Sequence, residues 1–146
     1  MSDTIWKKEI SIEILNSLSA QTMVDRIGIR FIEIGPDYIK ASMPVDSRTH
    51  QPLGLLHGGA SAALIETMGS VGATWCVGPD EYCVGLEVNA NHVRSVRSGE
   101  VIGTATSIHR GSRIQVWQIE IRTEDGKLVS TGRITLAVLS NSREAK

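Results

Sequence analysis

Aromatic side chains are nearly missing from this chain: one Phe, three Trp and two Tyr make up 4% of 146 residues. Its core must therefore be filled by aliphatic residues and alanine. An excess of one charge is missing too. Fifteen basic residues face sixteen acidic ones, for a formal net charge of -1 and a sequence pI near 6.4. That balance excludes the basic footprint of a general nucleic-acid binder. A local cluster of arginines still suffices for a small phosphorylated ligand. Long apolar runs are absent as well. The opening MSDTIWKKEIS has no uninterrupted apolar stretch and does not read as a secretory signal. Residues 58–77 are mostly Gly, Ala, Ser and Thr around Glu66, too weak for a membrane span, which needs about 20 strongly apolar residues. Cysteine is scarce: Cys76 and Cys83 form no CxxC pair. They read as two reduced, buried thiols of a cytoplasmic protein rather than a disulfide or metal pair.

Several chemistries lack their signatures. His50, His57, His92 and His109 show no HxxxH or HxH spacing, and no Cys or Asp completes a ligand set. No metal or other cofactor is expected. GxGxxG and GxxxxGK[ST] are absent, which removes the usual dinucleotide and phosphate loops. So is the G-x-S-x-G elbow of serine hydrolases.

The chain is long enough for one domain, residues 1–146, and not comfortably for two. Residues 1–27 read as a short helical N-terminal segment. Within it Ser11 caps Ile12 to Leu18, and a second turn covers Thr22 to Ile27. The hydrophobic period then falls to two. Strands are expected at 28–34 and 38–45, joined at Gly35-Pro36-Asp37, with Pro44 marking an edge or strand end. A loop over 46–57 leads into a helix over 58–76, GGASAALIETMGSVGATWC, that Gly78-Pro79 should end. Four more strands follow, at 82–91, 100–109, 113–122 and 127–139. Val84, Leu86 and Val88 are expected on one face of the first, and Trp117, Ile119 and Ile121 on one face of the third. Glu124-Asp125-Gly126 signals a hairpin. Residues 141–146 look like a frayed tail. Short turns between strands imply an antiparallel sheet. One apolar helix must bury itself, so an α+β fold with about six strands wrapped around a central helix is the simplest outcome.

That helix is chemically odd. It is lined with small residues and carries one charge, Glu66. A carboxylate there costs several kcal/mol unless paired or wet, and no Lys or Arg stands at i±3 or i±4. It is either a carboxylate at a solvated helix edge or a nucleophile or general base in a partly dry cleft. Ser70 lies one turn on, on the same side. At the helix start, His57-Gly58-Gly59 would expose backbone N–H groups that can polarise a carbonyl. Gly58 and Glu66 are eight residues apart, about 12 Å along one helix. One helix cannot easily bring both to one carbonyl. If both act, two copies must share a site.

The stretch MPVDSRTHQPLGLLHGGASAALIETMGSVGA, followed by VGLEVNANHVRSVRSGEV, resembles the hotdog-fold acyl-CoA thioesterases. It is most similar to the branch holding dihydroxynaphthoyl-CoA thioesterase of menaquinone synthesis and the proofreading thioesterase of enterobactin synthesis. The likeness runs from about Ile5 to Leu139. The resemblance implies hydrolysis of an aromatic acyl-CoA. Glu66 would be the catalytic carboxylate, Gly58 the backbone donor to the thioester, Gln51 and His57 the side chains orienting thioester and water, and Ser70 a polar helper. It places Gly85, His92, Val93, Arg94 and Ser95, and His109, Arg110, Gly111, Ser112, Arg113 and Ile114, against substrate and CoA. Arg94, Arg110 and Arg113 suit phosphates, which guanidinium groups grip bidentately. It further implies a homodimer with shared sites, assembled as a dimer of dimers. Leu53 departs from the branch, where Phe is expected, and bears on the acyl pocket. Three alternatives remain: a thioester on an acyl or aryl carrier protein, a non-catalytic acyl-CoA sensor, and an enoyl-CoA hydratase. The hydratase reading is the weaker because the helix carries Glu where that chemistry usually wants an Asp/His pair.

Overall fold

The computed structural model describes residues 3–141, so the expected tail lies, from residue 142, outside the described residues. The elements run α1 (Ile12–Ser19), α2 (Met23–Arg26), β1 (Arg30–Ile34), β2 (Tyr38–Pro44), α3 (Gly58–Trp75), β3 (Glu81–His92), β4 (Glu100–Arg110), β5 (Ile114–Thr123) and β6 (Leu128–Ser140). Ser11 caps α1 as expected, its Oγ accepting from Ile14 N at 3.1 Å. The strands form one antiparallel sheet in the order β1-β2-β4-β5-β6-β3. β1 and β3 are its edges, and α3 packs against the sheet: this is the expected α+β hotdog architecture. Pro44 closes β2, where its missing N–H costs no ladder bond.

Period-two alternation fills the inner face. Ile39, Ala41 and Met43 on β2 and Trp117, Ile119 and Ile121 on β5 are all fully buried. They meet Leu64, Ile65 and Met68 of α3, which are equally buried. The helix sits close because glycines face the sheet. A side chain at Gly72 would meet the Trp117 ring at 2.7 Å, and one at Gly69 would collide with Ile134. Burial pushes the Cys76 and Cys83 thiols up to about 11 from an ordinary 9.0. Both are free and buried.

Two expectations are corrected. First, residues 5–10 are not helical. They run as a strap across the C-terminal end of α3: Lys7 N donates to Trp75 O at 2.8 Å, Trp75 Nε1 to Glu9 O at 3.0 Å, and Trp6 stacks on Trp117. The helix expected over 58–76 holds: α3 covers Gly58–Trp75 with Cys76 as its C-cap, just ahead of Gly78-Pro79. The strap satisfies one carbonyl at that end, Trp75 O. Second, β3 does not keep Val84, Leu86 and Val88 on one face. Its pairing with β6 shifts between Gly85 and Glu87. Leu86 is the extra residue of a bulge, which flips the alternation. Val84 pairs with Ala137, whereas Val88 pairs with Ile134 of the core face. All three stay exposed.

Candidate active site

Glu66 projects from the middle of α3, half-buried, on the side facing edge strand β3. Its carboxylate lies against Gly85. A Cβ there would stand 3.1 Å from both Glu66 Cδ and Oε2, and closer still to Oε1. Gly85 therefore leaves the space the acid occupies. The bulge beside it sets which residue of β3 fills that position. No basic side chain ion-pairs with Glu66 among the described residues. Ser70, half-buried, shares its side of the helix. No hydrogen bond joins the two among the described residues.

A cavity of about 350 Å³ opens at the other landmark, the start of α3. Gln51, Gly58, Ser61 and the His92–Ser95 segment line it, with Leu55, Leu56 and Val129 behind. The groups with an assigned orientation here are donors. Gln51 Oε1 accepts from Leu53 N at 2.5 Å and Leu55 N at 3.4 Å, which leaves its NH2 for other partners. Gly58 is the first residue of the helix, so its N–H has no acceptor within it. His57 caps the helix through Nδ1, which accepts from Gly59 N at 2.7 Å. In the neutral ring the hydrogen is then on Nε2.

The expected residues do not all converge. His57 borders a separate, more apolar hollow of about 250 Å³ with Met23, Ile27, His50 and Ala60. Leu53 sits on the turn after Gln51 and is 76% exposed, outside the lining of the Gln51 cavity. His109, Arg110, Gly111, Ser112, Arg113 and Ile114 lie at the opposite end of α3 from Gln51. Arg110, Gly111 and Ser112 line a cavity of about 590 Å³ there, with Lys7, Cys76, Val77 and Glu81. Arg110 Nη1 donates to Ser107 Oγ at 2.6 Å. Within one protomer, then, the cationic hairpin, the acid and the donor-lined cavity occupy three places along α3. Among the described residues no three His, Cys, Asp or Glu side chains gather in a metal-holding group, and no helix is long and apolar enough to cross a membrane.

Sequence reasoning missed Ser61, Val129 and Ser130. Ser130 Oγ lies 3.1 Å from Nδ1 of His92. The only signal was a serine at an inward position of a strand, and its meaning depends on the β3–β6 register.

Comparison with known proteins identifies the family and the fold. Residues 53–130 match the model of the thioesterase superfamily. The chain is 53% identical over 135 residues to 1,4-dihydroxy-2-naphthoyl-CoA hydrolase of Escherichia coli (strain K12), covering 92% of this chain and 99% of that one. It is 45% identical to the proofreading thioesterase EntH of Cronobacter sakazakii, covering 92% and 98%. A crystal structure of a Haemophilus influenzae thioesterase superposes with a TM-score of 0.95 at 48% identity, covering 98% of this chain and all of that one.

Proposed function

The chain belongs to the thioesterase superfamily, and from that premise we propose that it hydrolyses an aromatic acyl-CoA to the free acid and CoA. The substrate is of the dihydroxynaphthoyl-CoA or hydroxybenzoyl-CoA kind, and the reaction belongs to the cytoplasm. The observation that carries this is the single carboxylate of an otherwise uncharged helix, berthed against a glycine on an unpaired sheet edge.

The thioester carbonyl rests on the Gly58 N–H, which stabilises the charge growing on its oxygen. In one route Glu66 takes a proton from a water that attacks the carbonyl carbon, and returns that proton to the CoA sulfur as the C–S bond breaks. In the other Glu66 itself attacks, the C–S bond breaks to release the CoA thiolate, and a water then cleaves the acyl–Glu66 anhydride, freeing the acid and Glu66 and supplying the proton the thiolate takes up. Gln51 and His57 orient the reactants, and Ser70 supports the acid. Within one protomer Gly58 and Glu66 are too far apart along α3 to share a carbonyl, so the site lies between two copies: Gly58 from one and the partner's Glu66. The edge strand supports this. β3 is twelve residues long, has β6 on one side only, and exposes Tyr82, Val84, Leu86 and Val88. A two-fold pairing of β3 with its copy would cover them and turn the two α3 helices antiparallel. The end of one helix bearing Arg110 and Arg113 would then lie toward the end of the other bearing Gly58, where those guanidiniums with Arg94 hold the CoA phosphates. Two such dimers make the tetramer the resemblance implies.

The test is thiol release from a panel of aryl- and alkyl-CoAs. Glu66→Ala should lower turnover at least about a hundredfold, with an unchanged circular dichroism spectrum and melting temperature. Turnover within a few-fold of wild type would sink the mechanism. The 45% identity to a proofreading thioesterase supports a second reading, an aryl group on a carrier protein. Both carriers present the same pantetheine arm, so rates on free aryl-CoA and on the aryl-loaded carrier separate them.

A further inference from the structure

Ser130 lies on β6 and is 0% exposed. His92 ends β3, and the two are direct cross-strand partners. The register brings Ser130 Oγ to 3.1 Å from Nδ1 of His92. The hydroxyl has no other hydrogen-bond partner among the described residues.

Hydrogen bookkeeping then decides the state of the ring. A buried hydroxyl that gives its proton to nothing costs about 1–3 kcal/mol. The acceptor within reach of Ser130 is Nδ1. If Nδ1 itself carried a hydrogen, the serine proton would be stranded. So Ser130 donates, Nδ1 accepts, and the hydrogen of the neutral imidazole sits on Nε2. His92 lines the cavity of Gln51, Gly58 and Ser61, and Nε2 is the ring nitrogen nearest Gly58. It stands 2.8 Å from the point where a side chain on Gly58 would begin. An exposed histidine serving only as a solvated surface group has no need of a fully buried anchor behind it.

We propose that Ser130 is a positioning residue that fixes His92 as the Nε2–H tautomer, making it a second donor, beside the Gly58 N–H, to the thioester carbonyl oxygen. The assignment rests on the hydrolytic reading above. It adds a donor where negative charge develops as the carbonyl is attacked, the point at which a preorganised hydrogen bond lowers the barrier most. Because the tautomer is set before substrate arrives, no proton has to move when the thioester binds.

Long-range proton–nitrogen correlation spectra of the 15N-labelled protein, without substrate, read the ring directly. Wild type should show His92 protonated at Nε2, and Ser130→Ala should shift it toward a mixture of tautomers. With benzoyl-CoA, Ser130→Ala should lower kcat about tenfold and leave KM within about twofold. In a His92→Ala background it should cost nothing further. A wild-type ring protonated at Nδ1 overturns the proposal, as do an unchanged kcat or losses that simply add in the double variant. If Ser130→Ala does not fold, Ser130→Cys keeps the volume with a weak donor and is read the same way. Should the wild type cleave no thioester at all, the hydrolytic reading falls, while the spectra still decide whether Ser130 sets the ring.

Discussion

At the scale of single residues, the proposed site depends on what Gly85 lacks. The Glu66 carboxylate occupies the volume a side chain would need. Gly85→Ala should therefore push the acid from its berth while helping the strand, since glycine weakens strand interiors. The expected result is kcat lowered about tenfold or more with a melting temperature unchanged or slightly raised. Steady-state kinetics beside a thermal melt check both halves, and full activity in the variant would mean that the berth does not matter. The acid itself was readable from the sequence, because a lone Glu in a small-residue helix stands out without coordinates. Its berth was not. Gly85 touches Glu66 only after a strand and a helix far apart in the chain are laid side by side. Ser130 was invisible for the same reason: its partner is thirty-eight positions away.

Among the elements, boundaries followed local chemistry and were legible to within a few residues. Turn residues, the change of hydrophobic period and the Ser11 cap all acted over short range. What the pattern could not carry were long-range events. The bulge at Leu86 reverses the faces of β3 with no turn residue to announce it. The strap over α3 depends on Lys7 and Trp6 meeting residues some seventy and one hundred and ten positions later. Close packing of α3 was foreseen from its glycines, and it carries a prediction. Gly72→Ala puts a methyl group 2.7 Å from Trp117. Overpacking of this kind costs about 1–3 kcal/mol, more than the gain from alanine's helix propensity, about 1 kcal/mol. The urea midpoint should fall, and a rise would show that the Trp117 ring has room to give.

For the molecule as a whole, the protomer separates groups that the proposed chemistry needs together. The donor-lined cavity and the Arg110–Arg113 hairpin sit at opposite ends of α3, with Glu66 between them. Association along β3 is the proposed remedy. Val84→Lys combined with Leu86→Lys places charges on that edge, a device that discourages strand pairing. The double variant should sediment as a monomer with its circular dichroism retained and its thioester hydrolysis abolished. A monomer with wild-type turnover would refute the shared site. The sequence carried this much through one distance, the eight-residue gap between Gly58 and Glu66, but it could not show which edge is bare.

The placement of β3 also matters before the protein is finished. Within the protomer its sheet neighbour is the last strand, so Glu81 waits for Ser140 and His92 for Ser130. While the chain is still being made, β3 precedes its partner by more than thirty residues, with Val84, Leu86 and Val88 bare and its ladder unpaired until β6 arrives. Fragments that stop short of β6 keep that strand unsatisfied, and they are the forms from which misassembly would start.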